Sequence, residues 1–313
     1  MEERQHRNYE ALIYRCHGLA PVATAVVYPV DEYALQAAIE AATARLIAPV
    51  LVGPEGEIGR LATSLGLDLG PCRLIDQPDP RAAADAAVAM ARRGEVHALM
   101  KGSLHTDALM AAVVDGRTGI RTERRISHVF VLDVPSYPKP LFVTDAAINI
   151  FPTLEDKADI ARNAIDLAHA LGIARPKLAI LSAVESVSSK IPSTIDAAAL
   201  CKMADRGQID GAVLDGPLAL DNAIDREAAA IKHIASPVAG DADILLVPDL
   251  EAGNMLAKEL TFLTDADAAG IVLGARVPII LTSRADKVRT RLASCAVAAL
   301  YAHAQRMAAR EHA

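Results

Sequence analysis

The chain has 313 residues, of which 52% are hydrophobic and 23% charged, and its 32 Lys and Arg against 39 Asp and Glu give a formal net charge of −7. This composition is typical of a soluble globular protein, and the length predicts about two domains. The acidic balance, the 3% aromatic content and the absence of Trp exclude the basic footprint and the stacking surfaces of nucleic-acid-binding proteins, so no nucleic acid partner is expected.

Four cysteines are spread widely over the chain, at positions 16, 72, 201 and 295, and no CxxC pair occurs. This spacing is unlike that of a zinc site or a disulfide scaffold, so reduced thiols are expected. The first residues are polar and mixed in charge, and the apolar stretch nearest to them, residues 19–30, is shorter than a membrane span and interrupted by Pro21 and Pro29. The sequence therefore predicts a cytoplasmic protein with no membrane partner.

Short apolar runs alternate with longer Ala- and Leu-rich segments along the chain. This alternation predicts an α/β protein with mostly parallel sheets, because helices join parallel strands. The predicted strands are residues 22–28, 49–52, 98–100, 126–132, 141–144, 177–182, 211–214, 243–247, 270–273 and 278–281. The predicted helices are residues 31–48, 81–93, 154–171, 195–206, 253–263 and 286–310.

A cluster of prolines at positions 135, 138 and 140 can continue neither a helix nor a central strand. We therefore place a domain boundary there. Residues 1–137 and about 275–313 form the first predicted α/β domain, and residues 138–274 form the second. Two domains of this class are expected to share a cleft.

The segment that follows the predicted strand at 98–100 carries a lysine, a glycine and two hydroxyls. Lys101, Gly102, Ser103 and Thr106 would lie at the carboxyl edge of the sheet, where α/β proteins bind ligands, and a glycine lets the backbone approach a ligand closely. The alternative is an ordinary connection between a strand and a helix, with Lys101 in solvent. Taken alone, this segment favours the alternative.

Two further strand exits combine turn residues with carboxylates or amides. Gly216, Pro217 and Asp221 follow one apolar run, and Asn254 follows another. Each is explained by loop and cap formation when it is considered alone. Because several such exits fall on one edge of the predicted sheets, we assign these four residues, together with Gly102 and Thr106, to a substrate cleft.

The last exit is residues 281–286, which opens the final predicted helix. The N–H groups of a helix start attract anions, and Arg284 can hold a phosphate through two parallel hydrogen bonds. Ser283 and Asp286 also have the spacing of a capping box, which accounts equally well for these two residues. Capping does not explain an arginine in the first turn, where the helix dipole disfavours a cation.

Several known motifs are absent from the sequence. It contains no GxGxxG after the first strand and no GxxxxGK[ST], so the fingerprints of NAD and ATP binding are missing. It also contains no HExxH and no GxSxG, and the nine histidines show no ligand spacing. Isolated histidines such as His105 and His128 are interpreted as packed or solvated. No metal and no cofactor are expected.

Ordered blocks of residues along nearly the whole chain resemble those of a known family. They are residues 100–102 with Thr106, 126–130, 216–223, 238–244, 248–254 and 274–286. Together they resemble the phosphate acetyl/butyryltransferase family. This resemblance implies two α/β domains with the active site in the cleft between them, an isocitrate/isopropylmalate dehydrogenase-like fold and a homodimer. It also implies the reaction acyl-CoA + phosphate ⇌ acyl phosphate + CoA for a short-chain acyl group, with coenzyme A as substrate or product.

The resemblance also implies roles for individual residues. In that family a Ser-Arg pair before the last helix serves catalysis and phosphate binding, which maps onto Ser283 and Arg284. Lys101 is then expected to bind phosphate as well. Asp286 is the nearest candidate for a base that takes the proton of the CoA thiol.

Two departures from the pattern of the acetyl-type members concern the general base. An aspartate that acetyl-type members carry falls here at Thr290, and an arginine of theirs falls near Thr261 or Phe262. These departures leave the identity of the base for the CoA thiol open. The pattern of residues 282–286 after residues 274–278 resembles the butyryl-type branch more than the acetyl-type branch. Two alternatives share the fold, namely an NAD-dependent dehydrogenase of the isocitrate type and a catalytically weak acyl-CoA-binding or regulatory module. A branch that uses acyl carrier protein is a further relative.

Overall fold

The computed structural model describes residues 7–70, 72–281 and 288–311, and the side chains within 8–310 of these ranges. The chain divides into two compact units. We call Tyr9–Arg124 with Ala269–Ala313 the terminal unit, and Met1–Asn8 with Arg125–Ala268 the central unit. The domain limits at 137 and about 275 stay a prediction, because compactness alone does not define a segment that folds independently.

The terminal unit alternates strands and helices. Its elements, in chain order, are α1 (Arg7–Cys16), β1 (Val22–Val27), α2 (Glu32–Thr43), β2 (Ile47–Gly53), α3 (Glu55–Leu65), β3 (Arg73–Asp76), α4 (Pro80–Arg92), β4 (Ala98–Lys101), α5 (Thr106–Val114), β10 (Asp267–Leu273), β11 (Ile279–Ile280) and α11 (Val288–Glu311). The strand order is β3-β2-β1-β4-β11-β10. All neighbours pair in parallel except β10 and β11.

The parallel strands of this unit end at one side of the sheet, which we call the terminal-unit edge. It is formed by the residues that follow β1, β2, β3, β4 and β11. β1 lies between two strands and is almost wholly buried, with Val26 and Val27 at 0% exposure. Its Val- and Ala-rich sequence fits a strand that is covered on both faces.

The central unit is built in the same way. Its elements are β5 (Ser127–Asp133), β6 (Leu141–Thr144), α6 (Leu154–Ala170), β7 (Lys177–Leu181), α7 (Pro192–Asp205), β8 (Val213–Leu218), α8 (Leu220–Ile224), α9 (Arg226–Ile231), β9 (Ile244–Leu246) and α10 (Leu250–Leu263). The strand order is β5-β6-β9-β7-β8, and only β5 and β6 pair antiparallel. We call the side at which β6, β9, β7 and β8 end the central-unit edge.

The predicted α/β class with mostly parallel strands is confirmed. One strand, β3, was not predicted, because only its Leu74 and Ile75 are apolar and the strand lies at the edge of the sheet. The proline cluster forms the turn between the antiparallel strands β5 and β6, so it connects two strands of one unit. Within the described parts of the chain, no helix is both long and apolar enough to cross a membrane.

Candidate functional site

Three of the predicted site residues lie at the terminal-unit edge. Lys101 ends β4, Gly102 follows it, and Thr106 begins α5 with its side chain exposed. The Lys101 ammonium donates hydrogen bonds to the carbonyl oxygens of Gly102 at 3.0 Å and Leu104 at 3.3 Å. Lys101 is half-buried, and its ammonium is held over the turn after β4. Whether it also binds a ligand there stays a prediction.

Position 102 requires a glycine because the turn after β4 lies very close to the backbone at the end of β1. Its N–H donates to the carbonyl oxygen of Val27 at 2.9 Å. A Cβ at position 102 would collide with that same oxygen and would lie 2.7 Å from the carbonyl carbon and oxygen of Tyr28. The turn after β4 is thus packed directly on the end of β1, and any larger residue would displace it.

The residues predicted to carry catalysis and phosphate binding, Ser283, Arg284 and Asp286, lie outside the described residues. The described chain before them ends at Leu281, one residue beyond β11. β11 pairs with β4 in the register Ile280↔Met100. The strand that leads into this segment therefore leaves the sheet beside Lys101. The choice between capping and phosphate binding for Ser283 and Asp286 stays a prediction.

The structure corrects the position of Gly216 and Pro217. The sequence places them in a loop after a strand at 211–214, but β8 extends to Leu218 and both residues lie within it. Pro217 is compatible with β8 because β8 is an edge strand. A Cβ at position 216 would lie 2.7 Å from the carbonyl oxygen of Ile180, so the glycine allows β8 to pair closely with β7.

Asp221 lies in α8, directly beyond β8, and belongs to a polar group that we call the Glu185 cluster, formed by Glu185, Asp221, Asn222 and Lys232. The Asn222 side chain is fully buried and donates its amide to Glu185 Oε1. Lys232 Nζ lies 2.7 Å from the same Glu185 oxygen and 3.3 Å from Asp221 Oδ2. Asn222 Oδ1 has no hydrogen-bond partner among the described residues.

Charges within the Glu185 cluster stabilise one another. The hydrogen bond from Lys232 lowers the pKa of Glu185, and the hydrogen bond to Glu185 raises the pKa of Lys232. Both groups are therefore ionised at neutral pH. The cluster ties the chain after β7, which carries Glu185, to the chain after β8.

Asn254, on the second turn of α10, joins two other exits of the central-unit edge. Its side-chain amide donates to the carbonyl oxygen of Ala146, beyond β6, at 3.1 Å. The preceding Gly253 packs tightly on the same loop, since a Cβ there would lie 2.6 Å from the carbonyl oxygen of Asp145. Asp145 is itself buried and accepts N–H groups from Ala147 and Ile148 at 2.9 and 3.1 Å.

His128 lies beside this loop, at the start of β5. It is 2% exposed, and its ring meets the Phe130 ring edge-on with centroids 4.4 Å apart, which confirms the packed interpretation. Burial lowers its pKa to about 4, against an opposing influence from Asp145. The imidazole is therefore neutral at physiological pH, and its Nδ1 has no hydrogen-bond partner among the described residues.

Sequence reasoning missed Glu185, Asp145 and Lys232. Glu185 follows the predicted strand at 177–182 and Asp145 follows the predicted strand at 141–144, so the strand-exit criterion would have found both. Lys232 lies beyond α9, and no local sequence pattern marks it as a functional residue.

Asp221 and Asn254 share the central-unit edge, but no hydrogen bond joins them among the described side chains. The described parts of the chain contain no group of three His, Cys, Asp or Glu side chains placed to hold a metal.

Comparisons with known proteins identify the family. Residues 79–299 match the family model described as "Phosphate acetyl/butaryl transferase". The phosphate acetyltransferase of Rhizobium meliloti is 64% identical over 304 residues, which are 97% of this chain and 96% of that protein. The phosphate butyryltransferase of Clostridium acetobutylicum is 40% identical over 296 residues, which are 95% and 98% of the two chains. This chain belongs to the phosphate acetyl/butyryl transferase family of enzymes.

Solved structures agree with this assignment. A branched-chain phosphotransacylase from Enterococcus faecalis matches with a TM-score of 0.77 and 29% identity, covering 90% of this chain and 99% of that one. A 4-hydroxythreonine-4-phosphate dehydrogenase from Klebsiella pneumoniae matches with a TM-score of 0.56 and 15% identity, over 90% and 99% of the chains. At that identity the second similarity concerns the fold alone, so it does not favour the dehydrogenase alternative. The family assignment and the relatives named as acyltransferases do not favour the binding-module alternative.

The preference for the butyryl-type branch is not supported. Identity is higher to the relative named as an acetyltransferase, 64%, than to the relative named as a butyryltransferase, 40%. The preference rested on one short block near the end of the chain, residues 274–286. Similarity over nearly the full length outweighs these few residues.

Proposed function

We propose that this enzyme transfers a short-chain acyl group, with acetyl as the preferred one, between coenzyme A and inorganic phosphate. The observation that carries this proposal is the near full-length similarity to a relative named as a phosphate acetyltransferase. The family assignment supports acyl transfer to phosphate, and the higher identity to the acetyl-named relative supports acetyl over butyryl.

The reaction is a direct acyl transfer in which all atoms are accounted for. A phosphate oxygen attacks the thioester carbonyl carbon, the carbon–sulfur bond breaks, and CoA leaves as a thiolate that takes up a proton. The products are acyl phosphate and CoA. No oxidant, reductant or additional cofactor is needed for this balance. The main difficulty is to hold two polyanions together, and positioning of bound reactants can lower a barrier by roughly 7–11 kcal/mol.

The proposed roles of individual residues follow from this requirement. Arg284 and Lys101 bind phosphate, since an arginine can form two parallel hydrogen bonds and a lysine adds a point charge. Ser283 donates a hydrogen bond to the carbonyl oxygen or to the leaving sulfur. The position of Lys101 at the exit of β4, beside the strand that leads to Arg284, supports the pairing of these two cations.

Asp286 is proposed as the base for the reverse direction. A free thiol has a pKa of about 8.5, so only a few per cent is ionised at pH 7 and a base accelerates its attack on acyl phosphate. Gly102, Thr106, Gly216, Pro217, Asp221 and Asn254 are proposed to line the cleft that receives the acyl-CoA. The positions of Gly102, Thr106, Asp221 and Asn254 at the two sheet edges support this assignment, and Gly216 and Pro217 lie near the end of β8.

The proposal also includes the cellular location, the oligomeric state and the fold type. The four cysteines are free thiols, which supports a reducing compartment such as the cytoplasm. We further propose a homodimer and an isocitrate/isopropylmalate dehydrogenase-like fold. Similarity to a solved 4-hydroxythreonine-4-phosphate dehydrogenase supports a fold that is shared with a dehydrogenase. Light scattering of the purified protein tests the homodimer, which a monomeric mass would contradict.

The function is tested by following free thiol while acetyl-, propionyl- and butyryl-CoA are each offered with phosphate. We expect phosphate-dependent thiol release with the highest kcat/KM for acetyl-CoA. One methylene is worth only about 1–3 kcal/mol, so a measurable but incomplete preference is expected. Acyl-CoA binding without phosphate-dependent turnover, or nicotinamide reduction with hydroxy acids, would contradict the proposal.

A further inference from the structure

We propose that Ser103 is a positioning residue for the phosphate-binding Lys101. Ser103 fastens the turn after β4 to the turn after β1, and the carbonyl oxygens of that fastened turn hold the Lys101 ammonium. The inference rests on the proposed function only for the identity of the anion. It concerns a residue whose side chain has no other role in the account above.

Both the side chain and the backbone of Ser103 join the two turns. Its hydroxyl oxygen accepts the N–H of Val30 at 3.0 Å, an N–H that also donates to the carbonyl oxygen of Tyr28 at 3.0 Å. The N–H of Ser103 itself donates to the carbonyl oxygen of Tyr28 at 2.9 Å. The neighbouring Gly102 N–H adds a third bond, to the carbonyl oxygen of Val27 at 2.9 Å. Three hydrogen bonds therefore connect residues 27–30 with residues 102–103.

The turn after β1 needs such support because its backbone is strained. Tyr28 has a φ of 58°, in the left-handed region that disfavours residues with a Cβ. Such a conformation persists where the surrounding structure determines it, and it occurs often at functional sites. Here Tyr28 is held by its N–H bond to the carbonyl oxygen of Val52 at 2.7 Å and by the bond it accepts from Ser103.

The fastened turn is the same one that positions the Lys101 ammonium. Nζ of Lys101 donates to the carbonyl oxygens of Gly102 and Leu104, the residues on either side of Ser103. Lys101 also lies opposite Val27 in the pairing of β4 with β1. Loss of the Ser103 hydroxyl would leave only the two backbone bonds between the turns. These two carbonyls, and with them the ammonium, would then be held less firmly against the end of β1.

The experiment is a double-mutant cycle on Ser103 and Lys101 in the full-length enzyme. Ser103→Ala, Lys101→Ala and the double variant are compared with the wild type in phosphate KM, acyl-CoA KM and kcat. Ser103→Thr keeps the hydroxyl and serves as the conservative variant. Ser236→Ala is the matched control, because the Ser236 hydroxyl also accepts turn N–H groups, from Val238 at 3.0 Å and Ala239 at 3.1 Å, in the central unit.

We expect Lys101→Ala to raise the phosphate KM by about 10- to 100-fold, as the loss of a charged hydrogen-bonding group does. Ser103→Ala should raise it by about 3- to 10-fold, because loosening a supporting group weakens a site without removing it. The acyl-CoA KM should stay within about twofold. Ser103→Thr and Ser236→Ala should keep the phosphate KM of the wild type.

The decisive result is whether the effects of Ser103→Ala and Lys101→Ala on the phosphate KM add in the double variant. If Ser103 acts through Lys101, Ser103→Ala changes nothing further once Lys101 is alanine. An additive cycle, or equal changes in phosphate and acyl-CoA KM, would overturn the inference. A wild type without phosphate-dependent turnover would instead overturn the proposed function. In that case the same cycle is measured as the stabilisation of each variant by inorganic phosphate in thermal unfolding, and additivity there again overturns the inference.

Discussion

The side-chain amide of Asn254 donates a hydrogen bond to the carbonyl oxygen of Ala146 at 3.1 Å. This bond joins the second turn of α10 to the loop that follows β6, so it connects two separate strand exits of the central unit. The adjacent Gly253 makes the approach possible, since any Cβ there would overlap the backbone of the same loop. A residue predicted to line the substrate cleft therefore also fixes the shape of that edge.

Replacing Asn254 by Ala should destabilise the protein modestly and impair turnover more strongly. Loss of one neutral hydrogen bond costs about 0.5–1.5 kcal/mol of unfolding free energy. Displacement of the loop after β6 should also lower kcat/KM for acyl-CoA by about 10-fold, since small misplacements are costly in catalysis. Urea unfolding and steady-state kinetics measure the two effects. Unchanged kinetics in a destabilised variant would exclude Asn254 from the site.

Glu185→Ala should destabilise the protein more than Glu185→Gln. The alanine leaves the fully buried Asn222 amide without its acceptor, which costs about 1–3 kcal/mol. The glutamine removes the charge that faces Lys232 but keeps a carbonyl oxygen for Asn222. Free energies of unfolding at pH 7 compare the two variants. Equal destabilisation would mean that the Asn222 contact contributes little.

Part of the loss of folding stability at low pH should arise from protonation of Asp241. Burial acts to raise the pKa of this carboxyl, but hydrogen bonds from Lys177 and Lys139, at 2.5 and 3.1 Å, outweigh burial and hold the pKa at about 2, below its ordinary 3.8. A depressed pKa in the folded state stabilises the protein above the unfolded-state pKa, and this contribution is lost as the pH falls toward the folded-state pKa.

Asp241→Asn should therefore lower the free energy of unfolding by about 1–2 kcal/mol at pH 7, and the difference from the wild type should shrink between about pH 4 and pH 2. Asp205→Asn is the matched control, because Asp205 pairs with Lys202 at 2.6 Å on the surface, with 63% of its side chain exposed. It should change stability little at any pH. A pH-independent difference for Asp241→Asn would refute the linkage.

Two glycine-to-alanine substitutions should have opposite effects on stability. Gly102→Ala places a Cβ against the backbone of Val27 and Tyr28 and should cost more than about 2 kcal/mol, as overpacking does. Gly59→Ala, in the middle of α3, has nothing within 4 Å of the added Cβ and should stabilise the protein by about 0.5–1 kcal/mol through helix propensity. Thermal unfolding of both variants decides the comparison.

Most of the fold was predictable because the buried strands are short apolar runs between Ala-rich helices. The prediction failed where tertiary contacts override local sequence. β3 exposes polar Arg73 and Asp76 at the sheet edge, and β8 continues through Gly216 and Pro217 because a close approach to Ile180 and an edge position accommodate them. No local pattern distinguishes these cases from loops.

The positions of several candidate site residues at strand exits were predictable, and their part in a site stays a prediction. Lys101 and Asn254 were selected because they follow apolar runs, and each donates a hydrogen bond to a backbone carbonyl oxygen at a sheet edge. The contribution of Lys232 could not be predicted, because its contact with Glu185 joins residues 47 positions apart in the sequence. The preference for the butyryl-type branch failed for a different reason. It used a few residues near the end of the chain, which carry less information than similarity over the whole length.

The central claim is that phosphate, and not water, receives the acyl group. The most direct measurement is the stoichiometry of products from acetyl-CoA and phosphate, with CoA read as free thiol and acetyl phosphate trapped as the hydroxamate. The account predicts equimolar CoA and acetyl phosphate and no thiol release without phosphate. CoA released without acetyl phosphate, at a rate independent of phosphate, would show hydrolysis and would contradict the account.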